Sequence, residues 1–253
     1  MKLGAQLYTV RNYTQTLPGF TETLKKCAEI GYTAVQVSAT CAFEPEWLAA
    51  ELAKNGLTCP VTHSNPDLIA SDPSRVAAEH KQFGCDIIGI GAAPGILAPG
   101  PFDVTGFIDR FLPAAKAIQK ASATLGYHNH HKEFMKIGGQ NIFEMIESDF
   151  PTDSLTFILD TYWVQYAGAD PAQWIGRLKG RVKCIHLKDM AIVDGEQRMA
   201  AVGEGNINFD AILAACEHAG TEYLMVEQDE CYGDDPFDCL KRSYQYLKTK
   251  GLD

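Results

Sequence analysis

Residues 125–134 read LGYHNHHKEF and bring three histidines and one glutamate into a single short stretch. If 127–130 is extended, His128 and His130 lie two residues apart on one face, because side chains alternate across a strand. Two imidazoles on one face can hold a metal, or place an acid–base group beside one. Ionisable residues also end other apolar runs. His63 ends a run at THSN, and Asp160 breaks LTFILDTYW. VKCIHLKD carries His186, Lys188 and Asp189, and YLMVEQDE carries Glu227. A lone aspartate after a strand is ordinarily a helix cap, and a lone histidine is ordinarily a satisfied core or rim residue. Several at one level of one fold are different. Unpaired carboxylates and imidazoles buried together are costly, and a divalent cation offsets that cost. Two carboxylates with one or two imidazoles form a mixed nitrogen–oxygen site, suited to Mn, Co, Fe, Zn or Mg with positions left for a substrate.

The elements that must position these residues follow one repeated unit: an amphipathic helix, a glycine, then a short apolar strand. Residues 3–8 form the first strand. Phe20, Leu24, Cys27 and Ala28 mark a helix face, Gly31 caps it, and 34–37 is the next strand. Helices at 47–54, 73–83 and 107–123 lead through Gly56, Gly84 and Gly126 to strands at 58–63, 87–90 and the histidine stretch. After a helix at 142–146 comes the strand 155–159. Helices at 171–178 and 209–218 lead through Gly180 and Gly220 to strands at 182–186 and 223–226, and a last helix spans 236–248. Helical crossovers make neighbouring strands parallel. Eight such units over 253 residues predict one closed (β/α)8 TIM barrel covering 1–253. No G-x-G-x-x-G follows the first strand. The glycine-rich 89–95, GIGAAPG, sits at a strand end as a loop with at most a weak phosphate-binding pattern.

Composition narrows the function. Net charge is −10 with no basic cluster, which argues against nucleic acid as a partner. Eight cysteines form no CxxC pair and read as reduced thiols of a cytoplasmic protein. The first residues lack a leader's apolar segment, and no run approaches the ~18 apolar residues of a membrane span.

LDTYW, IHLKD, VGEGNINF and MVEQD, taken with YHNHHKEF, resemble the sugar phosphate isomerase/epimerase superfamily with the xylose-isomerase-like barrel. The resemblance covers essentially the whole chain, and its motifs are specific for fold and metal site but not for substrate. It implies one divalent metal held from strands five to eight, with Asp160, His186 and Glu227 matching the last three ligands. The chain departs at strand five, where His128 stands in place of the usual Glu. The first ligand is then His128, the preferred reading, or His130 or Glu133 reaching in. A second departure is Trp163, which replaces the histidine that epimerases and the related endonucleases carry there. It either packs at the barrel mouth or forms a wall against a sugar ring.

The expected chemistry is metal-dependent isomerisation or epimerisation of a sugar, sugar phosphate or cyclitol through an enediolate. Glu227 is the expected ligand and base, with His130, Glu133 and Lys188 as its proton-transfer or oxyanion partners. His63, Trp163 and Arg198 are expected at the substrate, Arg198 together with Glu204 in a loop that could close over it. Alternatives are β-elimination by a dehydratase, and a non-catalytic sugar-binding barrel. The partner is a small molecule, with self-association into a homo-oligomer left open.

Overall fold

In a computed structural model, which describes residues 1–252, eight parallel strands close into the expected barrel. They are β1 Lys2–Gln6, β2 Ala34–Val37, β3 Thr58–His63, β4 Ile87–Ile90, β5 Thr124–His128, β6 Leu155–Asp160, β7 Cys184–Leu187 and β8 Tyr223–Val226. Each pairs with its sequence neighbour, and β8 closes on β1 through Leu3 opposite Leu224 and Ala5 opposite Val226.

Local chemistry explains the helices between them. α1 (Leu17–Ile30) starts where Thr16 accepts a hydrogen bond from the Gly19 amide, has proline in its first turn, and stops at Gly31. α2 is Pro45–Asn55, ended by Gly56 in the left-handed region at φ 66°, a conformation that costs glycine nothing. α3 (Pro66–Ser71) and α4 (Pro73–Gln82) follow β3, and α5 (Val104–Lys120) follows β4. α6 is Ile142–Asp149. α7 (Thr161–Tyr166) and α8 (Pro171–Arg177) follow β6, and α9 (Phe209–Ala219) and α10 (Pro236–Thr249) complete the ring. No helix of the described residues is long and apolar enough to cross a membrane.

Most of the apolar core lies between helices and barrel, on the outward faces of the strands. The inner floor is a separate cluster of Ala34, Val61, Ile87, Ile158, Cys184 and Met225. Two strand glycines make room for it. A Cβ on Gly4 would sit 2.5 Å from Met225 Sδ, and one on Gly126 would sit 2.8 Å from Ile158 Cδ1.

The structure differs from the sequence pattern in four places. β1 ends at Gln6, because the Gln6 side chain accepts from the Tyr8 amide and turns the chain into a 3-10 run, Leu7–Tyr13. β5 ends at His128, so 127–130 is not one extended segment. α3 and α7 add short helices to the eight expected, both lying in strand-end loops too brief for a helical period to show. The segment after β7 forms a hairpin, Asp189–Val193 against Glu196–Ala200.

Candidate metal centre

A single rule of parity builds the site. Side chains two residues apart on a strand share a face, and the floor residues point inward. The next inward position toward the C-terminal end is Asp160 after Ile158, His186 after Cys184, Glu227 after Met225 and His63 after Val61. His128 likewise follows the inward-facing Gly126, and Gln36 follows Ala34. Polar side chains therefore form the layer directly above the apolar floor, at the end of the barrel where such folds carry their chemistry. His128, Asp160, His186 and Glu227 each offer a ligand atom, and these atoms all lie within 4.8 Å of one another.

The outer partners of the two imidazoles decide what they present inward. His128 Nδ1 lies 2.8 Å from the Gly91 carbonyl oxygen. A carbonyl only accepts, so Nδ1 carries the proton and Nε2 faces Asp160 Oδ2, 3.4 Å away. His186 Nε2 likewise donates to Gln36 Oε1 at 2.8 Å, leaving Nδ1 as the lone-pair nitrogen 2.8 Å from Glu227 Oε2. Neither His186 Nδ1 nor Glu227 Oε2 has a hydrogen bond of sound geometry, although both are fully buried. Two lone pairs facing each other at that distance repel unless a proton or a cation lies between them. Both imidazoles are thus held with a bare nitrogen toward the carboxylates, the arrangement by which outer hydrogen bonds orient metal-ligating histidines. The donor set of two nitrogens and two carboxylates fits a divalent cation.

One internal cation already serves the carboxylates. Lys188 Nζ lies 3.0 Å from Asp160 Oδ2, 2.9 Å from Glu227 Oε2 and 2.9 Å from Asp229 Oδ1, with its side chain fully buried. Burial opposes ionisation of Glu227, but Lys188 and His186 beside it hold it well below the usual carboxylate range. Asp160 is lowered in the same way, chiefly by Lys188. Asp229 moves in the opposite direction, up to about 6, because burial outweighs its contact with Lys188. Burial also works against charge on His128, yet the hydrogen bond to Asp160 raises its pKa. His186 is lowered, first by burial, and stays neutral.

Asp160 has a second task. Its Oδ1 accepts from the Trp163 amide at 2.9 Å and caps α7, while Oδ2 faces the imidazoles. Asn129 Oδ1 accepts from the Asp160 amide at 3.0 Å, tying the β5 loop to the end of β6.

A cavity of about 580 Å³ opens above the cluster, lined by His63, His128, His130, Lys188, Glu227 and Asp229 among others. His63 packs its ring, tilted, 5.0 Å from that of His128 and 5.3 Å from that of His186, with Nδ1 3.3 Å from Ser38 Oγ and Nε2 buried without a partner. His130 lies outside the strand but packs edge-on to His128 at 4.9 Å, and burial together with His128 lowers its pKa to about 3. Trp163 stands behind it, 5.4 Å from the His130 ring, and does not line the cavity.

Glu133 does not join the cluster. It accepts from Tyr127 Oη and from the His130 amide, both at 3.0 Å, on the outward side of β5 where Tyr127 packs among the helix-layer aromatics. Arg198 is also elsewhere, on the hairpin after β7, with its guanidinium 5.1 Å from the Tyr232 ring centroid. Glu204 pairs with Arg242 at 2.8 Å. Asp189, which the sequence groups with Lys188, is a structural anchor whose carboxylate accepts from the amides of Met190, Gly203, Gly205 and Ile207.

Residues the sequence left without a role include Gln36, the Gly91 carbonyl and Asp229. Gln36 did carry a signal, as a lone amide inside the fully buried AVQV strand. Gly91 serves by size as well, since a Cβ there would sit 2.8 Å from His63 Nδ1.

Residues 24–250 match the family model described as xylose isomerase-like TIM barrel. The inosose dehydratase of Geobacillus kaustophilus (strain HTA426) is 24% identical, over 93% of this chain and 87% of that protein. A sugar phosphate isomerase/epimerase from Parabacteroides distasonis ATCC 8503 superposes with a TM-score of 0.82 at 21% identity, covering 98% of this chain and 93% of that one. An L-ribulose 3-epimerase superposes with a TM-score of 0.77 at 16% identity, covering 98% and 94%.

Proposed function

The chain belongs to the xylose isomerase-like TIM barrel family, and from that premise we propose that it is a divalent-metal-dependent isomerase or epimerase of a sugar or cyclitol carbonyl compound, acting by proton transfer beside the carbonyl. The supporting observation is the pair of imidazoles, each locked by an outer hydrogen bond with its bare nitrogen facing Asp160 or Glu227.

His128, Asp160, His186 and Glu227 would hold the metal. A bound divalent cation would supply positive charge where oxyanion character develops on the substrate. Glu227 faces the cavity with the lowered pKa that keeps it an available base at neutral pH. His130, neutral across the physiological range, presents an imidazole that can accept or return a proton from the β5 side. Lys188 keeps both ligand carboxylates ionised and provides an ammonium beside the oxyanion. His63 offers its unpartnered Nε2 to a substrate hydroxyl. Glu133 contributes by fixing the His130 backbone, and Trp163 by backing the His130 ring, rather than by touching substrate.

The similarity to an inosose dehydratase favours a second reading on the same residues. If a hydroxyl sits one carbon beyond the carbanion centre, the same enolate expels it, with the Lys188 ammonium, or His130 once it has taken up the substrate's proton, protonating the departing oxygen.

One experiment tests both. Metal content is measured on the purified protein and on Asp160→Ala, and each is incubated in D2O with ketohexoses and inososes under NMR. The reading predicts metal in the parent protein only, with deuterium appearing beside the carbonyl only there. Accumulating enone identifies elimination, and a stereoisomer identifies epimerisation. A parent protein that exchanges equally well after chelation sinks the metal-dependent account, and a parent that binds sugar without exchange makes it a non-catalytic barrel.

A further inference from the structure

The relatives carry both "sugar phosphate" and uncharged sugar names, so the charge inventory of the cavity bears on what the site admits. Among the described residues lining it, Lys188 is the one cation, and its ammonium is held by three carboxylates within about 3 Å. Those carboxylates exceed it by two charges, which a divalent ion at the cluster only brings to neutrality. No positive excess remains to meet an anionic substituent.

The cations around the rim are committed as well. Arg11, between cavity-lining Tyr8 and Asp229, donates to both of their carbonyl oxygens, at 3.0 and 2.8 Å, and pairs with Glu230. Lys132 donates to the carbonyls of Leu97 and Ala98. The glycine-rich turn after β4 points the Gly91 carbonyl, not an amide, at His128. At the start of α3 Pro66 has no amide proton, and Asn65 Oδ1 already accepts from Asp67. What faces the cavity instead is neutral and small: Ser38, Ser64 and the unpartnered Nε2 of His63. That set suits hydroxyl groups, each both donor and acceptor.

We infer that this site takes an uncharged polyhydroxy ketone or cyclitol and rejects substrates bearing a phosphate or carboxylate. The inference rests on the proposed proton-transfer site for its location but not for its test, which reads binding. D-fructose, its phosphate monoester at the terminal carbon and the keto acid with a carboxylate at that carbon are titrated against metal-free and Mn²⁺-loaded protein. Binding is followed by calorimetry and by saturation-transfer NMR. The neutral ketose is expected to bind in both forms, with each anion weaker by about a hundredfold in the metal-free protein, since unmatched like charges across an interface cost several kcal/mol, and still weaker than the ketose with Mn²⁺, where no positive excess meets it. Ala92→Arg, which adds a cation to the cavity wall, is expected to recover at least about tenfold of the phosphate monoester's affinity. A phosphate monoester or keto acid that matches or exceeds the ketose in the parent protein overturns the inference, as does a ketose that fails to bind up to about 100 mM. Absence of deuterium exchange with all three compounds would remove the catalytic proposal alone, because the binding preference is measured without turnover.

Discussion

Replacing Lys188 by methionine isolates the electrostatics of the site. The ammonium sits within 3.0 Å of Asp160, Glu227 and Asp229, and methionine keeps much of its volume without its charge. In metal-free protein the substitution leaves the buried Asp160 and Glu227 and the partly buried Asp229 with no cation, and breaking a buried pair of this kind costs about 3–5 kcal/mol. At about 2–4 °C per kcal/mol for a chain of this size, the melting temperature should fall by roughly 6–20 °C. The loss should shrink as pH falls toward the carboxylate range. Lys188 holds Asp160 and Glu227 below their usual pKa, so the stability it contributes is present at neutral pH and is lost as these groups protonate. A divalent metal should reverse the loss. Ligand at a hundredfold excess over Kd stabilises by about 2.7 kcal/mol, and the variant should gain more than the parent because no ammonium competes for the same oxygens. Thermal melts of both proteins, with chelator and with saturating Mn²⁺, measure this directly. Asp160→Asn added to Lys188→Met should recover stability in chelator while abolishing the metal response. An unchanged melting temperature in chelator, or a Mn²⁺ shift no larger in the variant than in the parent, refutes the reasoning.

Gln36→Leu removes the acceptor that fixes the His186 tautomer. Metal affinity should drop about 10–100-fold, as for other outer-sphere partners, with circular dichroism unchanged; full affinity in the variant would mean the tautomer is set elsewhere. His80, remote from the metal cluster, donates from Nδ1 to Val76 O and accepts at Nε2 from Thr62 or Ser64, and burial lowers its pKa. Because the unfolded state takes up the proton first, stability is full above about pH 6.5 and declines as pH falls below it. His80→Gln should flatten the denaturation midpoint between about pH 6.5 and 5 relative to the parent, and an identical slope would assign the dependence to other groups.

The barrel and the four positions of the candidate metal cluster were legible because each signal was local and periodic. An apolar strand that ends in Asp, His or Glu displays its own parity, and Asp160, His186 and Glu227 follow from counting by two from the floor. His128 followed from the same count. His130 reached the site by another route. The strand ends before it, and its loop is held by Glu133 beneath and Asn129 beside it. Glu133 itself was misplaced because a carboxylate two or three residues past a strand carries no parity. Only the tertiary position of Tyr127 shows that it faces outward. The partners of Gln36 and of the Gly91 carbonyl were hidden for a related reason. Their roles depend on imidazoles that arrive from strands 150 residues away in one case and 37 in the other, so no sequence window contains both partners.

The four amides gathered on Asp189 fix the base of the hairpin. Freeing that carboxylate from the segment 190–207 would strand a buried anion and its donors, at about 1–3 kcal/mol for each contact. The sum makes a detached state rarer than roughly one molecule in a thousand. The hairpin is therefore a fixed jamb rather than a door. Leu97 and Ala92 line the cavity from the turn after β4, and mutations that alter turnover by changing release are expected there before the base of the hairpin.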